Sequence, residues 1–306
     1  MPSLTSYTKP LTREQVERLR AAMAEKGFTF EQKLYCLLAG ASDSAKVNIA
    51  VYEKGPKVVV QGRGTEDFVK FTLEPEVLGA AELGYEEVNH PQMFAPHIGV
   101  DESGKGDYFG PLVIAGAYVD EKMARTLLDL GAMDSKRIGS DARIGALAQA
   151  MRAAAVVHEV IVIGPERYNE LYKQFGNLNK LLAWGHAKII ENLLIRVPDC
   201  PRALSDQFAN PRVLQNALQE RGKTILLEQR TKAESDPAVA AASIFAREKF
   251  VGWLDEAGAR FGVTLPKGAS EAVKAAASEI YLRQGVSALE RVAKMHFRTS
   301  AEILSK

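Results

Sequence analysis

Two adjacent acids, Asp101 and Glu102, close a short apolar run, and Ser103-Gly104-Lys105-Gly106 follows them before a second apolar run begins at Leu112. Paired carboxylates hold divalent cations, and the amides of a glycine-rich turn receive phosphate or hydroxyl oxygens. The pattern is strand, loop, strand, which puts both acids at the end of a buried strand. Neighbouring side chains on a strand point to opposite faces, so only one carboxylate faces a site squarely unless the chain bends there. Glycines at 104, 106 and 110 permit such a bend.

Three chemistries compete for this stretch. A β-hairpin with a merely soluble turn explains the two apolar runs and nothing else. A nucleotide-phosphate loop fits poorly, because Gly104-x-Gly106-x-x-x-Gly110 is one residue off the dinucleotide fingerprint and no Gly-Lys-Ser/Thr ends it. A divalent-metal site beside a backbone cradle accounts for the acids and the glycines together.

A metal pair needs further carboxylates from distant segments. Asp206 ends the strand-like run that starts at Arg202, a place where Asp also serves as a turn former. Glu234 and Asp236 precede the small-residue helix Pro237 to Arg247, where acids also suit the helix dipole. Asp134-Ser135-Lys136 stands before a helix beginning near Ser140, so Asp or Ser there reads equally well as a cap. His186 lies on a long amphipathic helix started by Asn177 and is a ligand, a proton carrier or a packed core residue.

The elements that must position these groups fall into two blocks. Thr12-Arg13-Glu14-Gln15 opens a helix with a capping-box pattern, with Val16, Leu19 and Met23 at helical spacing and Gly27 at its end. Strands are expected at 33–38, 47–52 and 57–61 as an antiparallel meander, then a second helix from Gly62-Arg63-Gly64-Thr65, with Phe68 and Phe71 inward, ending before Pro75. Lys33, Lys46, Lys57, Arg63 and Lys70 are candidates for phosphate contacts or plain solubilising charges. Residues 76–97 carry Glu76, Glu82, Glu86 and Glu87 without a lysine or arginine, and prolines at 91 and 96, which reads as a linker. The expected division is a domain at 1–75, a linker at 76–96 and a larger domain at 97–306.

Bulk properties narrow the classes. Hydrophobic residues at 46% and charged residues at 25% are ordinary globular values, and a net charge of +1 argues against non-specific coating of nucleic acid. Cys36 and Cys200 lack metal or redox spacing and read as reduced thiols. No apolar run approaches the ~18 residues of a membrane span, which makes a cytoplasmic protein the expectation.

Val100-Asp101-Glu102-Ser103-Gly104-Lys105-Gly106-Asp107-Tyr108-Phe109-Gly110-Pro111-Leu112 resembles the opening active-site strand of type 2 ribonucleases H, in wording similar to the ribonuclease HIII branch. Further matches follow in order: Asp134-Ser135-Lys136, the stretch from Tyr168 to Leu194, the Lys-Ala-acid-Ser wording at 232–235 with Ala240 to Arg247, and Val292 to Ser300. The resemblance implies an α/β fold, a ribonuclease H-like mixed sheet flanked by helices. It also implies a small N-terminal α+β domain resembling the TATA-binding protein, whose sheet docks RNA/DNA hybrid. It further implies endonucleolytic cleavage of the RNA strand by two divalent ions, Mg²⁺ or Mn²⁺, held by Asp101, Glu102, Asp206 and Glu234, leaving 5′-phosphate and 3′-hydroxyl ends. Asp236 is an extra acid that leaves the fourth position open. Ser103, Gly104, Lys105, Gly106, Ser135 and Lys136 would contact the substrate, and a monomer is expected. The rivals are ribonuclease HII-like cutting at single ribonucleotides and a non-catalytic hybrid-binding protein.

Overall fold

At the centre of the larger unit lies the strand β6, His97–Ser103, paired on one side with an antiparallel neighbour and on the other with a parallel one. The computed structural model describes residues 4–79, 91–132, 138, 140–231 and 233–305. The chain divides into two units, Met1–Pro91 and Gln92–Lys306.

In the first unit, β1 (Ser6–Pro10), β2 (Thr29–Phe30), β3 (Cys36–Ser42), β4 (Val47–Tyr52) and β5 (Lys57–Gln61) form one antiparallel sheet in the order β1-β5-β4-β3-β2. The expected meander is the β3-β4-β5 core of it. Two edge strands escape a local reading: β2 is only two residues long, and β1 has a remote partner, Tyr7 pairing with Val60, while Pro10, which has no N–H to give, sits at the end of β1. The strand expected from residue 33 begins only at Cys36, because Tyr35 adopts φ 63 and the Cys36 amide closes a turn onto the Lys33 carbonyl.

Helix α1 (Arg13–Glu25) has the full capping box between Thr12 and Gln15, and Gly27 follows at φ 70. Helix α2 (Thr65–Phe68) runs on as a π-helix over Val69–Leu78 and so passes through Pro75 rather than ending before it. The wider π turn removes the carbonyl clash that a proline makes in a tight α-helix. Phe68 is inside, whereas Phe71 is 70% exposed, contrary to the inward placement read from spacing. The change of pitch from α to π rotates residue 71 away from the core.

In the second unit the sheet order is β10-β9-β6-β7-β8, with β7 (Leu112–Val119), β8 (Val157–Ile163), β9 (Arg202–Asp206) and β10 (Leu226–Arg230). β10, β9 and β6 run parallel, while β7 is antiparallel to both its neighbours. The remaining helices used below are α3 (Glu121–Leu130), α4 (Asp141–Ala153), α5 (Pro165–Phe175), α6 (Leu178–Arg196), α7 (Pro211–Gln215) and α8 (Pro237–Phe261). One apolar cluster joins β7 to α3, α4 and α8, and a second joins β6 and β7 to α5 and α6.

α8 lies close against β6 because Gly99 has no side chain: a Cβ there would come within 2.3 Å of the Ala238 carbonyl carbon and the Val239 nitrogen. Ala240, Ala241 and Ala242 keep the helix narrow, and all three are fully buried. Both cysteines are free, and among the described residues no helix is long and apolar enough to cross a membrane.

Candidate active site

The pleat of β6 sends its two terminal acids to different sides. Asp101 turns to α8, where Ser243 hydrogen-bonds its carboxyl, and its Oδ1 also accepts from the Glu102 amide at 2.8 Å. Glu102 turns to α6, where His186 Nε2 lies 3.0 Å from its Oε2, and Lys105 Nζ lies 3.4 Å from its Oε1. The sequence argument that one strand cannot aim both acids squarely at one point therefore holds.

Asp206 comes from the neighbouring strand. Val100 pairs with Ser205, so in the same register Asp206 stands beside Asp101 at the carboxyl end of two parallel strands. Its Oδ1 accepts from the Ala233 amide at 3.2 Å, which ties it to the short turn Ala233–Ser235 that carries Glu234. Glu234 is half-buried there.

Asp236 is occupied elsewhere. It caps α8, accepting from the Ala238 and Val239 amides at 2.9 and 3.3 Å, and both its oxygens lie 2.9 to 3.0 Å from His97 Nε2. The other ring nitrogen, His97 Nδ1, donates to the Ala95 carbonyl at 2.7 Å. Both oxygens of this buried carboxylate are thus engaged within the protein. His97 had no sequence signal, since its partner lies 139 positions away.

Electrostatics separate the adjacent acids. Burial pushes the Asp101 carboxyl up to about 8, the charges of Glu102 and Asp206 push the same way, and Ser243 and the Glu102 amide oppose them. Burial also works against ionisation of Glu102, but the hydrogen bond and charge of His186, aided by Lys105, outweigh it and hold Glu102 below the usual range. His186 is fully buried, with Nδ1 3.0 Å from Ser205 Oγ and its ring 4.8 Å from that of Phe208. It is thus a packed residue and a partner of a candidate ligand at once.

The glycine-rich turn closes tightly over α8. Gly104 has φ 87, and a Cβ there would meet the Pro111 carbonyl oxygen at 2.2 Å. Ser103 and Lys105 are half-buried and Gly106 is exposed; Lys105 Nζ lies 5.6 Å from the Phe208 ring centre. Ser135 and Lys136 lie outside the described residues.

Hard carboxylate oxygens suit Mg²⁺, Mn²⁺ or Ca²⁺ rather than softer metals. Burial is the main reason the Asp101 carboxyl is raised, and the neighbouring charges of Glu102 and Asp206, which add to it, also suit a divalent cation. Among the described residues no group of three or more His, Cys, Asp or Glu side chains is placed to hold a metal ion.

Both the sequence and the fold have known counterparts. Residues 98–300 match the sequence model of the ribonuclease HII family. A Chlamydia caviae protein named ribonuclease HIII is 44% identical over 287 residues, covering 93% of each chain. Its namesake from Chlamydia trachomatis serovar D is 44% identical over 306 residues, 99% of this chain and 98% of that one. Among solved structures, Bst-RNase HIII in complex with Mn²⁺ superposes with a TM-score of 0.66 at 29% identity, over 98% of both chains. The ribonuclease HII of Archaeoglobus fulgidus, solved with PCNA, gives 0.57 at 27% identity over 69% of this chain and 97% of its own.

Proposed function

Since this chain belongs to the ribonuclease HIII family, and is therefore a metal-dependent endoribonuclease of RNA/DNA hybrids, we infer that Asp101, Glu102, Asp206 and Glu234 hold its metal. The observation that carries this is the side-by-side placement of Asp101 and Asp206 at the ends of two paired parallel strands, with the Asp101 carboxyl pushed up to about 8. Two ions, Mg²⁺ or Mn²⁺, would when bound supply positive charge to the scissile phosphate and make the attacking water more acidic.

The protein's own part is placement. His186 and Lys105 keep Glu102 ionised and fixed on the α6 side. Ser243 and the Glu102 amide aim Asp101, and the Ala233 amide couples Asp206 to the turn bearing Glu234. Asp101, Glu102 and Asp206 are thus each held by a donor that is not itself a ligand, as metal sites require for affinity. The amides of Gly104, Lys105 and Gly106 face the ribose and read the 2′-hydroxyl, the group that separates RNA from DNA. Ser103, Lys105, Ser135 and Lys136 contact the backbone, and in-line attack leaves 5′-phosphate and 3′-hydroxyl ends.

Coverage favours hybrid cutting over a preference for single ribonucleotides: relatives named ribonuclease HIII match nearly the whole chain, whereas the archaeal ribonuclease HII spans 69% of it. The test is Asp101→Asn, assayed on an all-RNA/DNA hybrid and on a duplex with one ribonucleotide. Cleavage by the wild type should be strongest on the hybrid and absent in the variant, with hybrid affinity within about twofold. Undiminished metal-dependent cutting by Asp101→Asn overturns the ligand assignment.

A further inference from the structure

A lysine with no access to solvent holds the rear of the glycine-rich turn. Lys294 is fully buried, and its Nζ donates to the carbonyl oxygens of Asp107 at 2.9 Å, Phe109 at 3.2 Å and Gly110 at 2.7 Å. An ammonium carries three protons, and three carbonyls converge on it, so its donors are filled. The Tyr168 and Phe250 rings lie 5.7 and 6.0 Å from the nitrogen, within range of a cation–π attraction. Burial works against the charge, lowering the amine to about 7. The charge of Asp107 acts in the opposite direction, and each carbonyl accepts more strongly from an ammonium than from an amine.

The backbone around Lys294 reinforces the same hold. Its own amide donates to the Tyr108 carbonyl at 2.9 Å, the Gly110 amide donates to the Val292 carbonyl at 2.9 Å, and Phe109 bridges Ala293. Tyr108 Oη lies 3.0 Å from Ser300 Oγ. Asn169 on α5 braces the segment from behind, donating to the Ala293 carbonyl at 3.0 Å and accepting from the Met295 amide at 2.9 Å. Residues 107–110 are therefore fixed by a segment some 185 positions later in the chain. Directly before them stand Gly104, Lys105 and Gly106.

We propose that Lys294 is a positioning residue for RNA recognition: by gathering the carbonyls of Asp107, Phe109 and Gly110 it sets the 104–106 turn against the ribose, and so governs hybrid selectivity over DNA duplex. The proposal rests on the reading of Gly104, Lys105 and Gly106 as the ribose-reading turn. It places Lys294 outside the chemical step, since the amine touches neither the acids nor any candidate metal.

The experiment compares the full-length wild type with Lys294→Met, which keeps the length and loses the donors, and with Asn169→Ala, which loosens the bracing segment and leaves the lysine in place. Folding is checked by circular dichroism. Affinity for a labelled RNA/DNA hybrid and for a DNA duplex of the same sequence is read by anisotropy with divalent ions chelated. In Lys294→Met the hybrid affinity should fall about tenfold and the duplex affinity stay within twofold, with KM for cleavage raised and kcat within about twofold. Asn169→Ala should shift the hybrid-to-duplex ratio the same way by about threefold. If Lys294→Met does not fold, the Asn169→Ala ratio decides. An unchanged ratio in the folded variants overturns the assignment of Lys294. A wild type that cuts hybrid yet binds it no better than DNA duplex overturns instead the reading of residues 104–106.

Discussion

His186 Nε2 lies 3.0 Å from Glu102 Oε2, and the opposite edge of the same ring lies 3.0 Å from Ser205 Oγ, one residue before Asp206. A single buried imidazole thus spans two parallel strands and orients an acid on one of them. With Glu102 proposed as a metal ligand, a partner that orients it helps to set metal affinity. His186→Ala is expected to raise the Mn²⁺ concentration for half-maximal cleavage by about 10–100-fold. A metal titration of hybrid cleavage checks it, and an unshifted midpoint would reduce His186 to core packing.

Asp101 gives a pH signature. Its carboxyl is raised from 3.8 to about 8, so between those values the native state binds more protons than the unfolded chain. Stability contributed by this group is therefore present at low pH and is lost as pH rises through that window. With metal chelated, the wild type should lose several degrees of Tm between pH 5 and 8 relative to Asp101→Asn. Added Mn²⁺ should reverse the trend, since it binds the ionised form, and its stabilisation should grow with pH. Parallel melting curves for the two proteins across that range would refute the raised carboxyl.

Glu234 and Asp236 should separate cleanly by experiment. Asp236 caps the 25-residue α8 and pairs with buried His97, so Asp236→Ala removes a cap and strands an imidazole, at about 3 kcal/mol. Glu234→Gln should abolish turnover and leave the urea midpoint unchanged. A stable, inactive Asp236→Ala beside an active Glu234→Gln would exchange the two roles.

The residues that sequence disclosed are those whose reasons are local. The Thr12–Gln15 capping box lies within one turn of helix, the strand–loop–strand at 98–116 within one hairpin, and the helix-dipole reading of Asp236 within one helix start. The undisclosed ones depend on long-range contact: His97 meets Asp236, Lys294 meets Phe109, and β1 closes the first sheet through Tyr7 and Val60. No periodicity records such pairings, because each side of the pair looks like an ordinary core or edge residue until the sheet order is known. The inward placement of Phe71 failed for a different reason, a change of helical pitch that composition does not signal.

The first unit has a core of its own, in which Leu19 and Met23 of α1 meet Ile49, Val51, Val58 and Val60 of the sheet, and Leu73. One face of that sheet is thereby filled. The alternate residues Asn48 and Tyr52 of β4, with Lys57 and Gln61 of β5, are exposed, which leaves the other face open with polar, basic and aromatic groups. Of the five basic residues singled out by sequence, Lys70 is held by Glu66 at 2.8 Å and is the weakest candidate for phosphate. Lys57 stands on the open face, where pairing with a phosphate releases counterions. A chain beginning at Gln92 keeps the whole β10-β9-β6-β7-β8 sheet and both its apolar clusters, so it should fold and retain turnover at saturating hybrid. Its hybrid affinity should fall by about tenfold or more, and the slope of log K against log salt should shrink by about 0.7 to 0.9 for every phosphate that the first unit had neutralised. Equal affinity and equal salt slope in the shortened and full-length proteins would remove the first unit from substrate capture.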